Sequence, residues 1–230
     1  MPPSTESAAE ARPLEVIRLG RVRYAEAFER MEARRDERLA DHAPDTLFLL
    51  EHEPVFTLGR RADPTNILAP PEVLEAAGIE VVETGRGGDV TYHGPGQIVG
   101  YPVVSLAPER KDVKRYVADL EQVMIDVCSS YGLEAGRSPG QIGCWLNEGQ
   151  RKIGAIGVRI TKWVTSHGFA LNVSPRMGHF GLIVPCGIAD KPVTSMEVEL
   201  GRAPPWDEVM DRCEAAFRER FGQRRATLRA

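Results

Sequence analysis

A chain of 230 residues with 42% hydrophobic residues, 27% charged residues and a net charge of −4 suits one globular domain and lacks the basic balance of a nucleic-acid binder. No apolar run reaches the roughly 18 residues of a membrane span, and the start, MPPSTESAAEARP, lacks the basic and apolar regions of a signal peptide. We therefore expect a cytoplasmic protein with no nucleic-acid and no membrane partner. The predicted division is a disordered tail at 1–13, one domain at 14–222 and a basic tail at 223–230.

The first half of the chain alternates strands and helices. EVIRLGRVRY (15–24) predicts a strand with a glycine turn, and AEAFERMEARRDERLADH (25–42) predicts a charged amphipathic helix. DTLFLLEHE (45–53) is apolar enough for a buried strand, and VFTLG follows it. PPEVLEAAG (70–78) predicts a short helix with proline at its start and glycine at its end. IEVVETG (79–85) predicts a strand that leads into a glycine-rich stretch.

The second half contains the clearest helix. DVKRYVADLEQVMIDVCSSYG (112–132) has a nearly continuous apolar face, with Asp112 as the predicted N-cap and Gly132 as the predicted C-cap. Strands are predicted at 97–106, at 165–174 and in a hairpin over 142–160 that turns at Asn147–Gly149; a final amphipathic helix covers 204–222. The pattern predicts an α/β (α+β) fold: one mixed β-sheet flanked by α-helices in a single domain.

The stretch TGRGGDVTYHGPGQIVGYP (84–102) raises the question of a nucleotide site. It lacks the closing Lys and Ser/Thr of a phosphate-binding P-loop, and its glycines have neither the spacing nor the following helix of a dinucleotide fingerprint. A pair of tight turns and a ligand-binding loop both fit the glycine content. Arg86, Asp89, Tyr92 and His93 favour binding, because polar and amphipathic groups are concentrated there.

The four cysteines form no C-x-x-C pair, which favours reduced thiols over disulfides or a zinc site. Cys128 and Cys213 fall on apolar helix faces, and Cys144 in a strand beside Trp145, so all three fit buried packing residues. Cys186 instead lies between Pro and Gly in LIVPCGIAD (182–190), a setting that suits a nucleophile.

A nucleophilic cysteine needs a group that favours its thiolate. Lys152 and His93 are candidates, although Lys152 also fits a solvated surface charge and His93 a loop histidine held by backbone. Periodicity places neither beside Cys186. RKIGAIGVRI (151–160) carries two glycines inside a predicted strand, which often marks the close approach of a ligand or of another backbone.

Four motifs in order, GRGGDVTYHGPGQIVGYP, RKIGAIGVRI, SHGFALN and IVPCGI followed by VTS, resemble the bacterial lipoyl(octanoyl) transferases of lipoate synthesis. The resemblance covers about residues 14–222. It implies the fold of the biotin and lipoate protein ligases. It also implies an enzyme that moves an octanoyl group from octanoyl-acyl carrier protein to a lysine of lipoyl domains. The acceptors it implies are the lipoyl domains of 2-oxoacid dehydrogenase E2 subunits and the glycine cleavage H protein.

The resemblance also implies roles for residues. Cys186 matches the family's nucleophile and Lys152 the lysine that lowers the pKa of that cysteine, while His93 is a further candidate for the base. The acyl-binding positions it implies are Arg86, Gly87, Gly88, Asp89, Val90, Thr91, Tyr92, His93, Ala155, Ile156, Gly157, Gly168, Phe169 and Ala170. The small residues among them suit a narrow slot for an unbranched chain.

No cofactor and no metal are expected, because the thioester donor is already activated. Two alternatives remain open. An ATP-dependent lipoate or octanoate ligase needs no cysteine nucleophile, and a non-catalytic module that binds acyl chains or carrier protein needs neither Cys186 nor Lys152.

Overall fold

The computed structural model describes residues 13–185 and 191–222. The predicted tails at 1–13 and 223–230 lie outside these ranges except for Pro13, and so does Cys186. The strands are β1 (Leu14–Val22), β2 (Asp45–His52), β3 (Val55–Leu58), β4 (Glu80–Glu83), β5 (Val90–His93), β6 (Gln97–Val103), β7 (Ala135–Ser138), β8 (Gln141–Leu146), β9 (Arg151–Thr161) and β10 (Val164–Asn172). The helices are α1 (Tyr24–Leu39), α2 (Pro71–Ala76), α3 (Val113–Ser129), α4 (Met196–Leu200) and α5 (Trp206–Phe221).

Seven strands form the main sheet in the order β1-β2-β6-β10-β9-β8-β7. β1 and β2 pair in parallel, and every other neighbouring pair is antiparallel, so the predicted mixed sheet is confirmed. The predicted hairpin is β8–β9, which turns through Asn147–Gly149. The glycine predicted to turn the first strand instead lies in a bulge: the register shifts between Arg18 and Gly20, and the strand continues.

Helices cover both faces of this sheet, which explains why β2 is apolar at consecutive positions. Leu47 and Leu49 pack with α3 and α5 on one face, whereas Phe48 and Leu50 pack with α1 on the other. Side chains alternate between the faces of a strand, so a strand with two covered faces needs apolar residues on both. The central strands of this sheet are therefore fixed from two sides.

The structure has a second sheet that the sequence did not predict. β4, β3 and β5 form three strands with β3 in the centre, and this sheet has its own apolar core, which includes Phe56, Leu74, Tyr92 and Phe180. The sequence gives no signal for this sheet because β5 is only four residues long and lies between two clusters of glycine.

The two predicted ends of α3 can be compared with the structure. The carboxylate of Asp112 accepts a hydrogen bond from the backbone N–H of Arg115 at 3.0 Å, so the predicted N-cap is confirmed. The predicted C-cap, Gly132, is displaced: α3 ends at Ser129, and Gly132 takes a φ of +78° in the turn that follows. In the part of the chain that is described, no helix is long and apolar enough to cross a membrane.

Candidate active site

The loop between β4 and β5, residues 84–89 and called the glycine loop below, lies directly against β9. The backbone N–H of Gly87 donates to the carbonyl of Val158 at 3.0 Å. A Cβ on Gly157 would lie 2.9 Å from the carbonyl oxygen of Gly87 and 3.0 Å from Cδ of Arg86, so this contact requires glycine. Gly88 has a φ of +94°, which also favours glycine. Gly157 therefore allows the close approach of the loop backbone, and Gly88 allows the left-handed conformation within the loop.

The Arg86 guanidinium is buried and fastens the glycine loop to the small sheet. Its Nε and Nη2 donate to Oγ1 of Thr57 at 3.1 and 2.9 Å, and its Nη1 donates to the carbonyl of Gly87 at 3.0 Å. A buried guanidinium holds a fixed geometry when several of its donors are used. It also brings positive charge to the cavity beside the loop.

A cavity lies where the glycine loop meets the two sheets and α1. Most of the predicted acyl-binding residues line it: Arg86, Gly88, Asp89, Thr91, His93, Ala155, Ile156, Gly157, Gly168, Phe169 and Ala170. In β9 and β10 the small residues face each other in register, Ala155 opposite Ala170 and Gly157 opposite Gly168. This pairing leaves little side-chain bulk on the cavity wall that β9 and β10 form.

Three predicted positions do not line this cavity: Gly87, Val90 and Tyr92. Because side chains alternate along β5, Val90 and Tyr92 point into the core of the small sheet while Thr91 and His93 face the cavity. The Tyr92 ring packs edge-on against Phe180 at 5.2 Å. Burial raises the pKa of Tyr92 to about 12.

The carboxylate of Asp89 accepts hydrogen bonds from other groups of the protein. It accepts hydrogen bonds from the backbone N–H groups of Val90 at 2.6 Å and Asp63 at 3.2 Å, and from the Asn66 amide at 2.6 Å. The carbonyl of Asn66 in turn accepts from the backbone N–H of Val184 at 2.8 Å. Asp89 thus connects the glycine loop to the segment that precedes Cys186 in the chain.

His93 heads a buried chain of hydrogen bonds. Its Nδ1 lies 2.6 Å from Oε1 of Gln97, and the Gln97 amide donates to Oδ1 of Asn172 at 2.8 Å. The Asn172 amide donates to the carbonyl of Thr194 at 2.9 Å. Burial, with smaller contributions from His52 and Arg86, lowers the pKa of His93 to about 3. His93 is therefore a neutral imidazole whose Nδ1 carries the proton.

Lys152 is buried near the start of β9, so the alternative of a solvated surface charge is wrong. Its ammonium lies 5.1 Å from the centre of the Trp145 ring, and the ammonium of Lys191 lies at the same distance from that ring. The Lys152 backbone accepts from the N–H of Thr194 at 2.8 Å and donates to the carbonyl of Pro192 at 3.0 Å. The chain that follows Cys186 by a few residues therefore runs beside Lys152.

Cys186 lies outside the described residues, so its role stays a prediction. The other three cysteines are buried free thiols, as predicted. A hydrogen bond with Cys128, together with burial, raises the pKa of the Cys144 thiol, and burial raises the pKa of Cys213. Protonated, buried thiols are poor nucleophiles.

Five residues that line the cavity were not predicted. They come from four different elements: Tyr24, Thr57, Val99, Tyr101 and His167. Tyr24 and Thr57 lie outside the motifs quoted above. Val99 and Tyr101 lie inside the stretch 84–102 and His167 lies inside SHGFALN, but the resemblance assigned these three no role.

Comparison with known proteins assigns the family. The lipoyl protein ligase A/B catalytic domain matches residues 23–218. An octanoyltransferase from Solibacter usitatus is 52% identical over 203 residues, which is 88% of this chain and 90% of the relative. An octanoyltransferase from Myxococcus xanthus is 50% identical over 206 residues, and this chain covers 58% of that relative's length.

Solved structures share the fold at low identity. A putative lipoate protein ligase from T. acidophilum with bound lipoic acid matches with a TM-score of 0.69 at 16% identity, over 89% of this chain and 84% of that one. A biotin protein ligase from Aquifex aeolicus in complex with biotin and ATP matches with a TM-score of 0.54 at 13% identity, over 90% and 70%. The predicted biotin/lipoate ligase-like fold is confirmed. The chain belongs to the lipoyl protein ligase A/B catalytic domain family and, within it, to the octanoyltransferases.

Proposed function

We propose that this protein transfers an octanoyl group from octanoyl-acyl carrier protein to a lysine of lipoyl domains, through a thioester on Cys186. The observation that carries the proposal is the paired stripe of Ala155, Gly157, Gly168 and Ala170, which forms a slot for an unbranched chain beside the glycine loop. Burial of an eight-carbon chain contributes about 0.8 kcal/mol for each methylene removed from water. Relatives about half identical to this chain are named octanoyltransferases.

In the first step the Cys186 thiolate attacks the carbonyl carbon of the donor thioester. The new carbon–sulfur bond forms as the bond to the carrier's thiol breaks, and the departing thiolate takes up a proton from the Lys152 ammonium, which becomes neutral. The positive charge of Lys152 favours the thiolate form of Cys186. This assignment is supported by the hydrogen bonds that hold Pro192 and Thr194, a few residues after Cys186, to the backbone of Lys152.

In the second step the amine of the acceptor lysine attacks the acyl-enzyme and forms an amide. The Cys186 thiolate departs, and the amine's proton passes to a base. His93 suits this role poorly, because its pKa lies near 3 and its protonated Nδ1 faces Gln97. We assign the base to Lys152 in its neutral form. The donor is the carrier-bound thioester and the acceptors are lipoyl domains of 2-oxoacid dehydrogenases and of the H protein, in the cytoplasm.

The test supplies a lipoyl domain with either octanoyl-acyl carrier protein without ATP or free octanoate with ATP. The proposal expects the amide on the lipoyl-domain lysine from the thioester alone. It also expects no product with Cys186→Ser, and product with the control Cys213→Ala, whose thiol is buried in the core and does not line the cavity. Product from free octanoate that depends on ATP would instead identify a ligase.

A further inference from the structure

His167 has an unusual backbone for a buried strand residue. It lies within β10 with a φ of +54°, a left-handed conformation that residues other than glycine rarely adopt. In a regular strand, His167 would face the same side as Phe169, toward α3. Its ring lies instead near Phe28 of α1, at 5.9 Å, and near Tyr101, at 6.2 Å. The left-handed residue thus turns the imidazole into the cavity.

The imidazole also carries a buried polar atom. His167 is 2% exposed, and its Nε2 has no hydrogen-bond partner among the described residues. Buried polar atoms nearly always have partners, so an exception in a cavity points to a position that a ligand or water reaches. Burial, and then the charges of Arg86, Arg159 and Arg35, lower the pKa of His167 to about 3, so the ring is neutral.

The register of β9 and β10 places His167 at one end of the small-residue stripe. Starting from the Lys152 side, the small-residue pairs that line the cavity are Ala155 with Ala170 and Gly157 with Gly168, and Val158 with His167 is the next pair. The three residues of strand from Ala155 to Val158 span roughly 10 Å, a length of the same order as an extended medium-chain acyl group. Along β9 the stripe therefore begins three residues after Lys152 and stops where the imidazole of His167 enters the cavity.

We propose that His167 is the end stop of the acyl slot and sets the longest acyl chain that the enzyme accepts. This inference rests on the proposed function. A chain that ends before the ring fills the slot between small residues. A longer chain must displace the imidazole from its position beside the rings of Phe28 and Tyr101.

The test uses His167→Gly, because glycine removes the side chain and accepts the left-handed backbone. The matched control is Lys162→Gly, another left-handed residue, which is exposed in the β9–β10 turn. For each protein, kcat/KM is measured with octanoyl and dodecanoyl carrier thioesters, and binding constants are measured for octanoate and dodecanoate. We expect the dodecanoyl-to-octanoyl ratio to rise about tenfold or more in His167→Gly and to stay at the wild-type value in Lys162→Gly.

Two results would overturn the end stop. One is an unchanged ratio in a His167→Gly protein that still transfers octanoyl groups, and the other is an equal loss for both chain lengths, which would indicate a purely structural role. The binding constants separate this inference from the proposed function. If wild-type protein transfers nothing but His167→Gly shifts binding toward dodecanoate, the end stop stands and the proposed reaction is wrong.

Discussion

Lys152 is the residue at which charge and proton transfer can be separated. Lys152→Arg keeps the positive charge that favours the Cys186 thiolate, but arginine does not release its proton at ordinary pH. We expect acylation of the enzyme to continue and the second step to slow by a factor on the order of 100 or more, as for loss of a general base. Quenched time points analysed by mass should show octanoyl-enzyme accumulating.

The control for this variant is Lys152→Ala, which loses both functions. It should acylate slowly near neutral pH and recover acylation at high pH, where a thiol ionises unaided. Full turnover by Lys152→Arg with no accumulation of acyl-enzyme would mean that Lys152 is not the base of the second step and contributes only its charge.

At the scale of elements, the contact between the glycine loop and β9 depends on Gly157. A methyl group there would meet the Gly87 carbonyl and the Arg86 side chain inside 3.1 Å, at 2.9 and 3.0 Å. We expect Gly157→Ala to lower the free energy of unfolding by about 1–3 kcal/mol, as overpacking does. Transfer of octanoyl and of shorter chains should fall together, because the loop itself is displaced.

A matched control is Gly136→Ala in β7, where a Cβ meets no atom within 4 Å and the φ is not left-handed. This change should be neutral or stabilise the protein by about 0.4–1 kcal/mol. Urea unfolding of both variants measures their free energies of unfolding and compares the two predictions. If Gly157→Ala proves as stable as Gly136→Ala, close packing of the loop on β9 is not what that glycine provides.

The long elements were predictable from the sequence, and the reasons are physical. α3 and β2 have apolar patterns long enough to exclude other structures. β5 was missed because four residues between glycine clusters carry too little periodicity. The left-handed His167 could not be foreseen either, since side-chain direction there depends on one dihedral angle rather than on the pattern.

At the scale of the whole molecule, the site is assembled from distant parts of the chain. The glycine loop, β9 and β10 were identified by their motifs, whereas Tyr24 and Thr57 reach the cavity only through the packing of two sheets and α1. Sequence patterns indicate which elements form. They do not indicate how a small sheet docks on a large one, and that docking decides which side chains close the cavity.

Buried histidines should make the stability of the whole protein depend on pH, and three of them have the largest pKa shifts. Burial is the main cause that lowers the pKa of His52 to about 4 and the pKa values of His93 and His167 to about 3. An unfolded histidine titrates near pH 6.5, so below that value and down to about pH 4 the unfolded chain binds more protons. Stability should therefore decrease as the pH falls through this window.

Between about pH 7.5 and 5.5 we expect the free energy of unfolding to fall by roughly 1 kcal/mol for each of these histidines. Urea unfolding at the two pH values measures the change. Asparagine tolerates the left-handed backbone, so His167→Asn should fold and should lose the part of the pH dependence that one histidine contributes. His42→Gln, at an exposed position, should retain all of it. A wild-type stability that does not change over this range would mean that the three rings are not neutral and desolvated.

Covalent catalysis at Cys186 is the central claim, and one measurement tests it most directly. The protein is mixed with octanoyl-acyl carrier protein in the absence of ATP, and its intact mass is determined before an acceptor is added. We predict an increase of one octanoyl group, mapped to the peptide that contains Cys186 and absent from Cys186→Ser. An unmodified protein that nonetheless transfers octanoyl groups, or an adduct on a different residue, would contradict this account.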